Sequence, residues 1–132
     1  MKRSITGSLL ALALIAGPAR ASSPVGIQAL PNPVALGQRV AFTVQVAVHE
    51  TLQVWVSAKG FAQPSMGSLP PGSWQWECCP AETAGTAAWH YRSASRVAPG
   101  SYRFPAATRN RGTYLSTARV SSGSAGVWVR IV

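Results

Sequence analysis

The two cysteines of this 132-residue chain stand side by side, in the stretch "WQWECCPAE" at residues 74–82. Thiols can bond to each other, stay free for metal or redox work, or bridge to a second chain. Adjacency narrows each option. Consecutive Cα atoms across a trans peptide are about 3.8 Å apart, whereas ordinary disulfides prefer roughly 4.4–6.8 Å. A Cys78–Cys79 bond would close almost no chain, so the stabilisation expected of a long loop is missing. Its effect would be a rigid turn before Pro80. If a strand instead runs through the pair, Cys78 shares the inward side of Trp74 and Trp76. Cys79 then faces water with Gln75 and Glu77. A vicinal bond, free thiols and an intermolecular bridge all stay open at this stage.

Metal and catalytic chemistry have few residues to work with. His49, Glu50, Glu77, Cys78, Cys79 and His90 carry donor types that suit copper or zinc. However, neighbouring cysteines on a strand diverge, His49 falls at a turn and His90 on an outward face. No metal site and no cofactor are assigned. The chain has two histidines, three glutamates and no aspartate. A Ser-His-Asp triad is therefore impossible as written. HExxH, a phosphate-binding glycine loop and a nucleophile elbow are all missing. A carboxylate pair for glycoside hydrolysis would have to come from Glu50, Glu77 and Glu82, and the latter two flank a turn where they are expected to be solvated. No catalytic residue is assigned, and the expectation is a protein that is not an enzyme.

The elements that must position these residues are strands. In "RVAFTVQVAVHE" the residues Val40, Phe42, Val44, Val46 and Val48 alternate with polar or small ones, the period of a half-buried strand. "TLQVWVSA" repeats the pattern, with Leu52, Val54 and Val56 inward and Gln53, Trp55 and Ser57 outward. The short "HET" between the two runs reads as a hairpin turn. Gly/Pro turn signals recur at short spacing after residue 21, with no convincing amphipathic helix. Seven strands are expected near residues 24–30, 39–48, 51–58, 73–79, 86–93, 101–107 and 125–132, with a possible eighth at 114–121. That pattern and size predict an all-β, immunoglobulin-like antiparallel sandwich. On these registers Trp55, His90 and Trp128 point outward among Arg92, Arg103 and Arg130. The six form a candidate surface for binding protein or glycan.

The first residues read as an export signal. Lys2 and Arg3 precede the apolar "ITGSLLALALIAG", and Ala19-Arg20-Ala21 fits the small-x-small cleavage rule. The apolar run is too short against the ~20 residues that a spanning helix needs. Residues 1–21 are therefore expected to be a signal peptide and 22–132 a single domain, secreted or periplasmic, with no transmembrane segment after cleavage. The full chain carries a net charge of +9, and residues 22–132 keep nine Lys and Arg against three glutamates. A basic exported domain can meet anionic lipid headgroups, acidic polysaccharide or nucleic acid. Its arginines are dispersed and no nucleic-acid motif is present.

Two stretches add a resemblance. "ALPNPVALGQRVAFTVQVAV" resembles the opening strands of bacterial secreted Ig-like modules of the "conserved repeat" type: a proline-containing first strand, a Gly-polar turn and an alternating second strand. "RVAPGSYRFPAATRN" resembles their E–F corner. It is also similar to a closing segment of bacterial alpha-2-macroglobulin-like proteins, through Pro99, Gly100, Tyr102 and Pro105. The resemblance implies that Tyr102 is a tyrosine corner. Phe104 then stands where antibody domains have their second cysteine, opposite Val44, so apolar packing replaces the inter-sheet disulfide. It also leads one to expect a core tryptophan on the third strand; Trp55 is there but alternates outward, so either the strand carries a bulge or Trp55 is not the core tryptophan.

Taken together, these features predict an exported, non-enzymatic domain of the bacterial cell envelope that contacts an envelope protein or an acidic polysaccharide. One alternative is a periplasmic metal-handling or thiol-redox protein using Cys78 and Cys79. Another is a pilus-like structural subunit whose apolar last strand pairs with a neighbour's sheet edge.

Overall fold

A computed structural model describes residues 23–132. The expected signal peptide lies outside the described residues. Eight strands follow one another: β1 (Val25–Leu30), β2 (Arg39–Val46), β3 (Thr51–Ser57), β4 (Gly72–Glu77), β5 (Ala88–Arg96), β6 (Gly100–Ala107), β7 (Gly112–Val120) and β8 (Gly123–Ile131). Each stretch expected to be a strand contains one, including the possible eighth, although the strand expected at 73–79 stops at Glu77, before the cysteines. Among the described residues the only helical element is a 3-10 turn at Ala81–Thr83. No helix among them is long and apolar enough to cross a membrane.

The strands form two antiparallel sheets, ordered β1-β2-β6 and β4-β5-β3-β7-β8. The first sheet matches strands A, B and E of an immunoglobulin domain, and β3, β7 and β8 match C, F and G. β5 and β4 extend the C edge, in the places that variable-type domains give to C′ and C″. The predicted immunoglobulin-like sandwich is thus the fold.

Alternation selects the core. Val40, Phe42, Val44 and Val46 of β2 face Leu52, Val54 and Val56 of β3 across the two sheets, all buried. The "HET" stretch is therefore not a hairpin turn. β2 and β3 belong to different sheets, and residues 47–50 carry the chain across the sandwich. Both strands have an apolar face to bury, and folding one sheet over the other buries both faces against each other. Aromatic rings tie the layers together. Phe104 of β6 stacks on Phe42 of β2 at 5.1 Å between centroids and meets Trp74 of β4 at 5.3 Å. Phe61 closes the end of the row, 5.5 Å from Phe42 and 6.3 Å from Tyr114. Gly60 allows that closure: a Cβ there would lie 2.4 Å from the Tyr114 ring.

The corner expectation is corrected by this topology. In the stretch 96–110, residues 97–99 join β5 to β6 and the rest is mostly β6, so its glycine and tyrosine open strand E, and the E–F corner comes next in the chain. There the Tyr114 hydroxyl donates to the Arg111 carbonyl at 2.8 Å, the tyrosine-corner device at the start of strand F. Tyr102 makes a bond of the same kind to the Ala98 carbonyl, at the β5–β6 crossing. The position two residues after the corner tyrosine is Ser116, not Phe104. Ser116 is fully buried, and its hydroxyl finds no partner among the described residues. Phe104 and Val44 do not oppose each other between sheets, because β2 and β6 are neighbours in one sheet, with Phe42 beside Phe104 and Val44 beside Tyr102.

Candidate functional site on the five-stranded sheet

The outer face of the five-stranded sheet gathers most of the polar chemistry. Its registers place side chains in rows across the strands. One row runs Ser73, Arg92, Gln53, Arg119 and Ser124, from β4 through β5, β3 and β7 to β8. The next runs Gln75, His90, Trp55, Thr117 and Gly126. Trp128 and Arg130 continue the face on β8, beside Leu115 and Thr113 of β7. Five of the six residues predicted to form a binding surface therefore share this face. The sixth, Arg103, pairs with Thr43 in the other sheet and lies on the opposite side of the sandwich.

Trp55 points outward as its alternation requires, yet it is only 3% exposed. It belongs to neither open surface nor inter-sheet core. His90 stacks on its ring at 4.4 Å and 11°, and the Arg119 guanidinium lies 4.8 Å from the ring centroid, in cation–π range. The 3-10 turn Ala81–Thr83 folds back over β7. Thr117 donates to the Glu82 carbonyl at 2.6 Å, and the Glu82 carboxylate holds Arg119 at 3.2 Å. Outward-facing Trp55 is thus covered by its neighbours. Arg119 lies outside the binding surface expected from the sequence. Its only sequence signal is that it follows β7 alternation onto the Trp55 face.

Glu77 anchors the other side of the cluster. One carboxylate oxygen accepts from Trp55 Nε1 at 3.1 Å and faces His90 Nδ1, also at 3.1 Å. His90 Nε2 meets the Gln53 amide at 2.9 Å. The His90 pKa is lowered from its ordinary value of 6.5. Burial is the largest cause, partly opposed by Glu77 and reinforced by Arg92. Nε2 faces the Gln53 amide oxygen, so the neutral ring donates to Glu77 or to Gln53 and the protonated ring to both.

Glu77 also ends β4, and the cysteine pair begins next to it. The structure places the Cys78 and Cys79 sulfurs at bonding distance, 2.05 Å, with Cα atoms 3.6 Å apart. Of the three options, the vicinal bond is the one formed, and no free cysteine remains. Both residues are exposed, and Cys79 takes a left-handed backbone with φ of 78°. A strand does not run through the pair. Trp74 is half-buried against Tyr91, but Trp76, expected inward, is 58% exposed. It shares the inner face of Trp74 two residues further along β4, at the strand's end and beyond the Trp74–Phe104 contact with the three-stranded sheet.

The remaining metal candidates are dispersed. His49 Nδ1 meets the Val97 carbonyl at 3.0 Å, and Glu50 accepts from the Ser122 amide and hydroxyl at the β7–β8 turn. No group of three histidine, cysteine or acidic side chains comes together among the described residues.

No protein-family model matches the chain, and no curated protein matches it. Among solved structures it is similar to a conjugative transposon lipoprotein from Bacteroides eggerthii DSM 20697. The identity is 14% and the TM-score 0.37, over 83% of this chain and 98% of that one. A likeness that slight transfers neither residues nor function.

Proposed function

We propose that this protein is an exported, non-enzymatic domain of the bacterial envelope that binds an envelope protein or polysaccharide through the outer face of its five-stranded sheet. The observation that carries the reading is the preorganised face itself. His90, Trp55 and Arg119 are locked by Glu77 and Glu82, while Arg92 between them keeps an exposed guanidinium. Rigid side chains lose little freedom on binding, which is the main benefit of preorganisation. The export signal in residues 1–21 and the poor catalytic inventory support the same reading.

The metal alternative draws less support, because the bonded cysteines leave no thiolate to bind metal; a disulfide is the oxidised form of a thiol pair and does not count against the thiol-redox reading. The structural-subunit alternative meets an obstacle at β8. The segment after β1 caps its edge: Val34 donates to Arg130, Val132 to Val34, and Leu36 to Val132, each at 2.9 Å. Asn32 adds side-chain bonds to Trp128 and Arg130.

A pull-down from envelope fractions tests the proposal. The protein is expected to retain a protein or glycan partner that an Arg92→Glu variant loses. Equal recovery by both, or none by either, would count against it.

A further inference from the structure

Two clefts lined mainly by polar residues open on this face and share one side chain. The larger, about 630 Å³, is lined by Ser73, Gln75, His90 and Arg92. The smaller, about 420 Å³, is lined by Thr51, Gln53, Arg92, Arg119 and Ser121. Arg92 is exposed, and no carboxylate pairs with it among the described residues. The three glutamates are all occupied: Glu50 at Ser122, Glu77 at Trp55 and His90, Glu82 at Arg119. Arg92 is thus a charge without a local counter-charge, set in a field of net positive sign.

From this geometry we infer that the Arg92 face binds an anionic, carboxylate-bearing polysaccharide. This rests on the envelope-binding reading above and names its ligand. Three features select that chemistry. Arg92 presents a planar fork that suits a carboxylate. The neighbouring groups are hydroxyls and amides, which match the donors and acceptors of sugar hydroxyls. Arg119 lies two strands away, roughly 9.6 Å by ordinary strand spacing; its charge is already met by Glu82, so it offers only its remaining N–H donors to the next unit of a polymer held by Arg92. An acidic protein is the poorer fit, because the clefts lack the apolar anchor pockets in which protein hot spots concentrate.

The test is titration calorimetry of the purified protein with polygalacturonate, dextran, inorganic polyphosphate and polyglutamate at fixed ionic strength. Polygalacturonate is expected to bind most tightly and dextran not at all. Arg92→Gln should weaken polygalacturonate binding roughly tenfold or more. Arg103→Gln removes the same charge from the opposite sheet and should change it less than about twofold. Melting curves establish that both variants fold. Polyphosphate or polyglutamate binding as tightly as polygalacturonate, or equal losses in the two variants, overturns the inference. If polygalacturonate fails to bind while the pull-down still recovers an Arg92-dependent partner, the inference falls and the broader reading stands. Failure of both removes both.

Discussion

The bond between Cys78 and Cys79 closes no loop, so it is expected to contribute little to stability. The stabilisation attributed to cross-links grows with the chain they enclose, and this pair is one residue apart. The oxidised chain is expected to be a monomer two hydrogens lighter than the reduced one by intact mass. Reduction, or the double Cys→Ser change, should cost less than about 1 kcal/mol in urea unfolding. A reducible dimer would contradict this account. His90 makes a second residue-scale prediction. Its pKa is lowered in the folded state, chiefly by burial, so the unfolded chain binds the proton more readily. The His90 contribution is fully present above pH 6.5 and is lost as the pH falls below that value. Thermal melts should show this acid limb in the native protein, and His90→Gln should flatten it.

At the scale of elements, the two tyrosine devices fix where the chain crosses between layers. Tyr114 is buried and ties the start of β7 to Arg111; Tyr102 does the same for β6 with Ala98. Tyr114→Phe should cost about 1 kcal/mol, seen as a lower urea midpoint at unchanged slope, because the Arg111 carbonyl loses its partner. The corner motif was legible as a glycine followed two residues later by a tyrosine, but it occurs twice. "PGSY" and "RGTY" both fit, and only sheet membership shows which one is the E–F corner. Likewise, the β2 and β3 alternations were readable, while their placement in separate sheets was not. A short polar connection serves a hairpin and a sandwich crossing equally well, and burial of both apolar faces decides between them.

For the whole molecule, stability depends on the aromatic seam between layers. Phe104 touches Phe42 of its own sheet and Trp74 of the other. Phe104→Ala should therefore cost about 3–5 kcal/mol in urea unfolding, with lost transfer energy and a residual cavity both contributing. A loss under 1 kcal/mol would mean that the layers hold together without it. Charge is the other property of the whole. Every glutamate is bound to a specific partner, so the excess arginines have few internal anions to meet and depend on solvent ions or an external ligand.

Strand positions, sandwich class and the poverty of catalytic groups were determined by the sequence alone, because period-two alternation and residue inventory are local properties. The outward faces of Trp55, His90, Arg92, Trp128 and Arg130 followed from the same alternation. Tertiary structure decided what those faces become. Alternation says which way a side chain points, but not whether a distant segment covers it. Trp55 is buried because His90, Arg119 and the turn at Ala81–Thr83 come from three other parts of the chain. Trp76 is exposed at the end of β4, beyond the Trp74–Phe104 contact with the other sheet. Arg103 leaves the group because strand pairing sends β6 to the other layer. Such contacts depend on how the strands pair and stack, and the spacing of residues along a single strand does not specify that.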